Sequence, residues 1–249
     1  MEPNVAIALL LTAAAGLSTT IGSGLGLVVR KPGPRLMSAT LGFSAGVMIL
    51  VSFVELLQGS IESIGFLSAH AGFFLGMASF FLIDFLVPHD YIGQHEGHKG
   101  RLMRTGLLVA LGIGIHNLPE GMATFAGALK DVRLGMAIAV AIALHNIPEG
   151  LAVYAPVYAA TGNRRKAFLW SFLSGVSEPV GAALAALILW PFLTPTLLGW
   201  VLASVAGIMV SISLDELVPA SRAFGREHLP IVGVVAGMAI MALSLWLLK

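Results

Sequence analysis

Charged residues and cysteine are the features that this 249-residue chain has least of. Asp, Glu, Lys and Arg make up 11% of it, against about 25% in a typical soluble domain, and 57% of its residues are hydrophobic. Cysteine is absent, which excludes disulfides, thiolate metal ligands and cysteine nucleophiles and leaves the redox compartment open. The net charge is +1 and the basic residues form no patch, so we expect no nucleic-acid partner. The composition predicts an integral protein of a lipid bilayer.

Eight apolar stretches are long enough to cross a bilayer, which takes about 20 helical residues. They cover approximately residues 5–29, 36–57, 66–87, 105–129, 133–159, 166–190, 197–220 and 230–248. The connections between them are short, and only residues 88–104 form a longer loop. Because no linker divides the chain, we predict an all-α fold with a single eight-helix transmembrane domain over residues 1–249.

Basic residues predict the orientation of these spans, because Lys and Arg are retained on the cytoplasmic side of a membrane. Eleven of the fourteen lie in the first, third, fifth and seventh connections: Arg30, Lys31, Arg35, Lys99, Arg101, Arg104, Arg164, Arg165, Lys166, Arg222 and Arg226. The opposite side has only Lys130, Arg133 and Lys249. Both termini are therefore expected outside the cytoplasm, and the 88–104 loop inside it.

Two internal resemblances indicate inverted repeats. Residues 52–60, SFVELLQGS, resemble residues 213–221, SLDELVPAS, and the match pairs Glu55 of the second span with Glu216 of the seventh. Residues 116–121, HNLPEG, are nearly repeated at 145–150, HNIPEG, on the adjacent antiparallel spans four and five. We therefore predict that spans 1–3 correspond to spans 6–8, and span 4 to span 5. Inverted repeats with interrupted helices that meet at the membrane midplane are typical of transporters.

Ionisable side chains gather near the middle of the fourth, fifth and sixth spans. On a helix, residues four apart stack on one face, so His116 can approach an ion together with Glu120, and His145 together with Glu149. Glu178, in GVSEPVGA, lies midway along the sixth span. Each motif also contains a proline, which kinks the helix and frees a backbone carbonyl that needs a partner in lipid. These groups predict a cation site.

The cost of burying these charges supports the same interpretation. One carboxylate at the centre of a span costs about 2.5–3.5 kcal/mol, and three would cost about 7–10 kcal/mol if left ionised and unpaired. No Lys or Arg of the predicted spans lies at that depth. The glutamates are therefore either protonated or neutralised by a cation from solution. Imidazole with carboxylate and no thiolate favours Zn²⁺, Fe²⁺, Mn²⁺ and similar ions over Mg²⁺ or Ca²⁺.

At these motifs the chain resembles the ZIP family of divalent-metal transporters, and its bacterial members in particular. The resemblance extends over the whole chain, including the eight spans and the Glu-Pro of the sixth. It implies a binuclear metal centre, with one ion bound by His116, Glu120, His145 and Glu149. It also implies that Asn117, Asn146 and Glu178 bind a second ion, with Glu120 and Glu149 bridging. From the residues alone, hydrogen bonds between helices are the other role open to the two asparagines.

The resemblance further implies uptake of Zn²⁺, or of Fe²⁺, Mn²⁺, Cd²⁺ or Co²⁺, into the cytoplasm by alternating access of two helix bundles. A homodimer in the bacterial inner membrane is expected. The histidine-rich third loop of the family is reduced here to PHDYIGQHEGHKGR, in which His89, His95 and His98 remain. Two interpretations of this segment stay open: it captures metal on the cytoplasmic side, or it is a solvated loop without a metal-binding role.

Acidic residues near the ends of spans are secondary candidates. Asp84 and Glu216, with His89, are candidates for an exit path on the cytoplasmic side, and the two acids could equally be structural acids that face water. Glu55 is expected toward the outer end of the second span, and Asp215 is expected to point away from its neighbour Glu216.

Two other functions stay open at this point. A metal-selective channel could use the same ligands without alternating closure. A membrane enzyme with a dimetal site is the other alternative, because helix bundles do build such centres. The HExxH zinc motif is absent, however, and inverted symmetry suits a path that opens to both sides. We therefore predict a transporter and not an enzyme.

Overall fold

The computed structural model describes residues 3–28, 33–86, 97–130, 132–189, 194–224 and 228–247. All regular structure in these residues is helical and forms eight long helices. They are α1 (Pro3–Val28), α2 (Pro34–Ile64), α3 (Phe66–Leu86), α4 (Gly97–Lys130), α5 (Val132–Thr161), α6 (164–189), α7 (Pro195–Phe224) and α8 (Leu229–Leu247). The prediction of an all-α membrane protein with eight helices is confirmed.

Six of these helices are long and apolar enough to cross a membrane: α1, α2, α5, α6, α7 and α8. A seventh, α3, has a shorter apolar stretch over Phe66–Leu82. In α4, the polar residues His116, Asn117 and Glu120 lower the hydropathy of the central turns. The lower hydropathy of α4 is thus a consequence of the predicted site motif that it carries.

Local sequence signals set the boundaries between neighbouring helices. Gly162 follows the last residue of α5 and has a φ of 65°, a left-handed conformation that glycine adopts without steric cost. The Asn163 side chain then caps α6 by accepting a hydrogen bond from the backbone N–H of Lys166, 3.0 Å away. Thr194 caps α7 in the same way, accepting from the N–H of Leu197.

The fourth helix starts earlier than its predicted span. It begins at Gly97, so residues 97–104 of the predicted loop are helical. Leu102, in the second turn, is only 5% exposed, and this burial explains why the helix extends past the apolar stretch. The remainder of the predicted loop, with His89 and His95, lies outside the described residues.

The second and seventh helices are interrupted in the same way. In α2, the α-helix Pro34–Val51 passes into a π-helical turn and then into a final α-helix; α7 has the same order from Pro195. The segments have 18, 6 and 7 residues in α2 and 17, 6 and 7 in α7. The π turns are Ser52–Leu57 and Ile212–Leu217, and both carry acidic residues. Such π turns are frequent at functional sites.

Backbone contacts at glycines show the same correspondence. A Cβ atom on Gly46 of α2 would lie 2.0 Å from the carbonyl oxygen of Val234 on α8. A Cβ on Gly207 of α7 would lie 1.9 Å from the carbonyl oxygen of Phe73 on α3. Both glycines and both partners are related by a shift of 161 positions. The pair α2–α8 is therefore packed like the pair α7–α3.

The remaining four helices repeat this pattern around the HNxPEG motifs. Gly22 of α1 packs on the carbonyl of Ile147 in α5, and Gly181 of α6 packs on the carbonyl of Leu118 in α4. In both contacts an added Cβ would lie 1.9 Å from the carbonyl oxygen. Here α1 corresponds to α6 with a shift of 159 positions, and α4 to α5 with a shift of 29. These contacts agree with the predicted repeats.

The helices form two groups, which we call the motif group (α1, α4, α5 and α6) and the flanking group (α2, α3, α7 and α8). Among the described residues, each glycine on which a Cβ would meet another helix's backbone within 4 Å meets it in its own group. Contacts between the groups include side-chain contacts, such as that of Ile212 on α7 with Gly112 on α4. In the part of the chain that the structure describes, Ser44 Oγ of α2 also donates a hydrogen bond to the carbonyl of Pro148 in α5 at 2.8 Å.

The glycine contacts predict a sharp loss of stability on substitution. Gly46→Ala and Gly207→Ala should each lower the melting temperature in detergent by several degrees, because overpacking costs about 1–3 kcal/mol. Gly59→Ala is the matched control, since a Cβ there meets nothing within 4 Å. Thermal unfolding followed by circular dichroism measures the difference. Equal melting temperatures for Gly46→Ala and Gly59→Ala would contradict the close contact.

Candidate metal centre

The two HNxPEG motifs face each other in the middle turns of α4 and α5. His116, Glu120, His145 and Glu149 are all buried, with at most 1% exposed. His116 Nε2 lies 3.1 Å from Glu149 Oε1. His145 Nε2 lies 3.4 Å from Glu120 Oε1, an ion-pair distance whose alignment does not make a hydrogen bond. Each histidine is therefore paired with the glutamate of the other motif.

The sixth helix completes this cluster. Glu178 is fully buried, and its Oε2 accepts a hydrogen bond of 2.7 Å from Asn146 Nδ2. Glu178 also lies close enough to Glu120, His145 and Glu149 to interact with them electrostatically. The structure thus brings the sixth-span glutamate against both motifs.

The two asparagines also bind backbone on their neighbours. Asn117 Nδ2 donates to the carbonyl of Ser174 on α6 at 3.3 Å. Asn146 Nδ2 donates to the carbonyl of Ala15 on α1 at 3.0 Å. The first helix, to which no predicted site residue belongs, therefore takes part in the cluster.

Many ligand atoms of the cluster have no hydrogen-bond partner among the described residues. They are His116 Nδ1, Asn117 Oδ1, both carboxylate oxygens of Glu120, both ring nitrogens of His145, Asn146 Oδ1, Glu149 Oε2 and Glu178 Oε1. Burying such atoms unpaired costs about 1–3 kcal/mol each, and more for charged groups. Nitrogen and oxygen atoms of this kind are the donors that first-row divalent cations take.

These ligand atoms are arranged as crossed pairs and not around one point. Among the described residues, a single group of three His, Asp or Glu side chains has its ligand atoms all within 4.8 Å of one another. That group is Asp84, Asp215 and Glu216, which we call the acidic trio. It lies away from the HNxPEG motifs, between the last turn of α3 and the π turn Ile212–Leu217 of α7.

The acidic trio contains Asp215, which was not among the exit-path candidates. Asp215 is exposed and Glu216 is buried, as expected for side chains that point away from each other, and yet a carboxylate oxygen of each lies within 4.8 Å of the other. Both residues belong to the π turn Ile212–Leu217.

Arg104 of α4 was not predicted to take part in any site. Its guanidinium pairs with Asp84 and lies 3.7 Å from Glu216 Oε1. The signal was hidden because residues 97–104 read as loop, whereas they form the first turns of α4. The positive charge of the Arg104 side chain therefore partly balances the negative charge of the trio.

The other secondary candidates have different outcomes. Glu55 lies half-buried in the π turn of α2 and close enough to His145 to interact with it electrostatically. His89 lies outside the described residues. The part of α1 beside the cluster could have been found from sequence, because GLSTTIG at 16–22 resembles GVSEPVG at 175–181.

Known proteins resemble the chain over its whole length. A family profile described as ZIP Zinc transporter matches residues 88–245. A protein named zinc transporter ZupT from Nitratidesulfovibrio vulgaris is 49% identical, over 99% of this chain and 98% of its own. Proteins of the same name from Chlorobium phaeovibrioides and Lysinibacillus sphaericus are 54% and 49% identical, over 97% and 100% of both chains, respectively. These matches confirm the resemblance predicted from the HNxPEG motifs. The chain therefore belongs to the ZIP family of transporters, and it is a membrane metal transporter and not an enzyme.

Proposed function

We propose that this protein carries divalent transition-metal ions, Zn²⁺ first among them, into the cytoplasm through the cluster between α4, α5 and α6. The observation that carries this proposal is the pair of crossed, buried His–Glu contacts surrounded by unpartnered ligand atoms. Relatives that match this chain end to end are named zinc transporters, which supports zinc as the substrate. Fe²⁺, Mn²⁺, Cd²⁺ and Co²⁺ belong to the same class of ions and are proposed as further substrates.

The proposed centre binds two ions. His116, His145, Glu120 and Glu149 would bind the first by giving up their crossed pairs, since the same atoms ligate a cation. Asn117, Asn146 and Glu178 would bind the second, with Glu120 and Glu149 shared between the ions. Three carboxylates with two divalent ions leave a net charge of +1. That charge is smaller in magnitude than the −3 of the ionised glutamates alone, so loading reduces the cost of charge in the bilayer.

The two groups of helices support alternating access. Helices within each group touch at backbone level, as at Gly121, where an added Cβ would lie 2.0 Å from the carbonyl oxygen of Glu178. Contacts between the groups include side-chain packing, the Ser44–Pro148 hydrogen bond and the ion pairs of Arg104 with Asp84 and Glu216. Side-chain contacts can exchange at lower cost than interlocked backbones. We propose that the motif group moves as a unit against the flanking group and carries the ions with it.

Direction and location follow from the distribution of basic residues. If the basic connections face the cytoplasm, the acidic trio lies at the cytoplasmic end of the path and receives departing ions, with His89 as a further exit ligand. We also propose that the protein is a homodimer of the bacterial inner membrane with both termini outside, as the resemblance implies.

The first prediction from the proposed function concerns the glutamates of the cluster. Glu120→Gln and Glu149→Gln should each lower zinc uptake into proteoliposomes at least about tenfold, because an amide binds a divalent ion far more weakly than a carboxylate. Competition by Mn²⁺, Fe²⁺, Cd²⁺ and Co²⁺ in the same assay ranks the substrates. The matched control is Glu62→Gln, an exposed glutamate of α2 that binds Gln58. Wild-type uptake by Glu120→Gln would contradict the proposed site.

The second prediction concerns protons. Histidine and carboxylate ligands must be deprotonated to bind a metal, so uptake should weaken as the pH falls from 8 to 5. The measurement is initial zinc uptake into proteoliposomes with equal pH on both sides. Rates that stay flat or rise on acidification would count against metal ligation by these groups.

The third prediction separates a carrier from a channel with the same ligands. A carrier should show saturable uptake, and zinc loaded inside the vesicles should stimulate uptake of labelled zinc from outside. A channel should show flux that rises linearly with concentration and no such stimulation. Internal zinc that leaves the rate unchanged would overturn alternating access while leaving the metal site in place.

A further inference from the structure

The first helix contains a segment similar to the one around Glu178. Residues 16–22, GLSTTIG, align with residues 175–181, GVSEPVG, and Thr19 takes the place of Glu178. The packing repeats as well. A Cβ on Gly16 would lie 2.9 Å from Cβ of Glu178, and a Cβ on Gly175 would lie 2.9 Å from Cβ of Thr19. Thr19 and Glu178 therefore occupy equivalent places on either side of the same helix contact.

Hydrogen bonds of the cluster follow the same relation. Asn146 donates to the carbonyl of Ala15, and Asn117 donates to the carbonyl of Ser174, which is 159 positions further on. Asn146 also donates to the Glu178 carboxylate. The pseudo-two-fold relation exchanges α1 with α6 and α4 with α5. Because Asn146 lies beside Glu178, the same relation places Asn117 beside Thr19.

The Thr19 hydroxyl is buried and, among the described residues, has no hydrogen-bond partner. A helical threonine commonly donates to the carbonyl four residues earlier, as Thr12 does to Ala8 at 2.9 Å. For Thr19 that carbonyl belongs to Ala15, which already accepts from Asn146 and, at 2.6 Å, from Ser18. The hydroxyl is directed instead toward α6, 3.2 Å from the Cβ position of Gly175.

We propose that Thr19 is an additional metal-binding residue of the centre. Its hydroxyl oxygen contacts the second ion, the one that Asn117, Asn146 and Glu178 would bind, from the side of Asn117 and as the neutral counterpart of the Glu178 carboxylate. This inference rests on the proposed function. It adds α1 to the helices that bind the substrate. It also makes the centre asymmetric, with a carboxylate on one side of the pseudo-two-fold axis and an alcohol, a much weaker ligand, on the other.

A single cysteine tests this contact directly, because the natural chain has none. Thr19→Cys should bind Cd²⁺ at least tenfold more tightly than the wild type, because thiolates prefer soft ions. It should also show a thiolate-to-cadmium charge-transfer band, and Zn²⁺ should protect the thiol from alkylation. Thr12→Cys, two turns away on the same helix, is the matched control and should show neither effect. Absence of the band in folded Thr19→Cys, or an equal band in Thr12→Cys, would overturn the proposal.

Uptake kinetics give the second test. Thr19→Val removes the hydroxyl at nearly constant volume and should raise the KM for zinc about threefold to tenfold, the loss expected for one weak polar contact. Thr19→Ser should restore the wild-type KM, and Thr12→Val should leave it unchanged. If Glu120→Gln abolishes uptake while Thr19→Val matches Thr12→Val, this inference fails alone. If Glu120→Gln transports normally, the proposed function fails first.

Discussion

Acidic side chains buried in the middle of the helices are the constraint on which the rest of this structure depends. Glu120, Glu149 and Glu178 are buried in helices that contact one another, and among the described residues their partners are histidine and asparagine and not Lys or Arg. Imidazole is the useful partner here, because it can pair with a carboxylate or bind a metal beside it. The crossed His–Glu pairs therefore keep the proposed ligands together without neutralising them permanently.

The backbone contacts between helices serve this same constraint. Four glycines lie in the HNxPEG motifs or next to these and the Glu-Pro motif, and each brings its helix against a backbone carbonyl of a neighbouring helix. They are Gly22, Gly121, Gly150 and Gly181. A side chain at any of these positions would move the ligands of α4, α5 and α6 apart. The motif group is thus joined at backbone level around the cluster, and its contacts with the flanking group include side-chain pairs such as Arg104 with Asp84.

Much of the site could be predicted from sequence because its residues obey local rules. His116 with Glu120, and His145 with Glu149, share a helix face at a spacing of four, and apolar surroundings show that they are buried. The crossed pairing could not be predicted, since it depends on how α4 and α5 are rotated against each other. The approach of Asp215 to Asp84 and Glu216 could not be predicted either, because it depends on how α3 packs against α7. Arg104 was missed because basic residues before an apolar stretch read as loop.

Thr19 illustrates a different limit of sequence interpretation. A search for chemistry begins with ionisable residues, and α1 has none in its described central turns. The repeat GLSTTIG–GVSEPVG points to α1, and the paired contacts at Gly16 and Gly175 then show that the two segments are packed alike. A neutral residue then gains interest from the position it shares with an acidic one.

The matched glycine contacts also bear on how such a chain can diverge. Gly46 and Gly207 meet opposite carbonyls at nearly the same distance, although the residues around them differ. The close backbone contact at these two glycines follows from the helix packing that both halves share, and it does not depend on the neighbouring side chains. Positions that tolerate no side chain should therefore occur in equivalent pairs in the two halves. The sequences of the halves can then diverge while their helix packing stays the same.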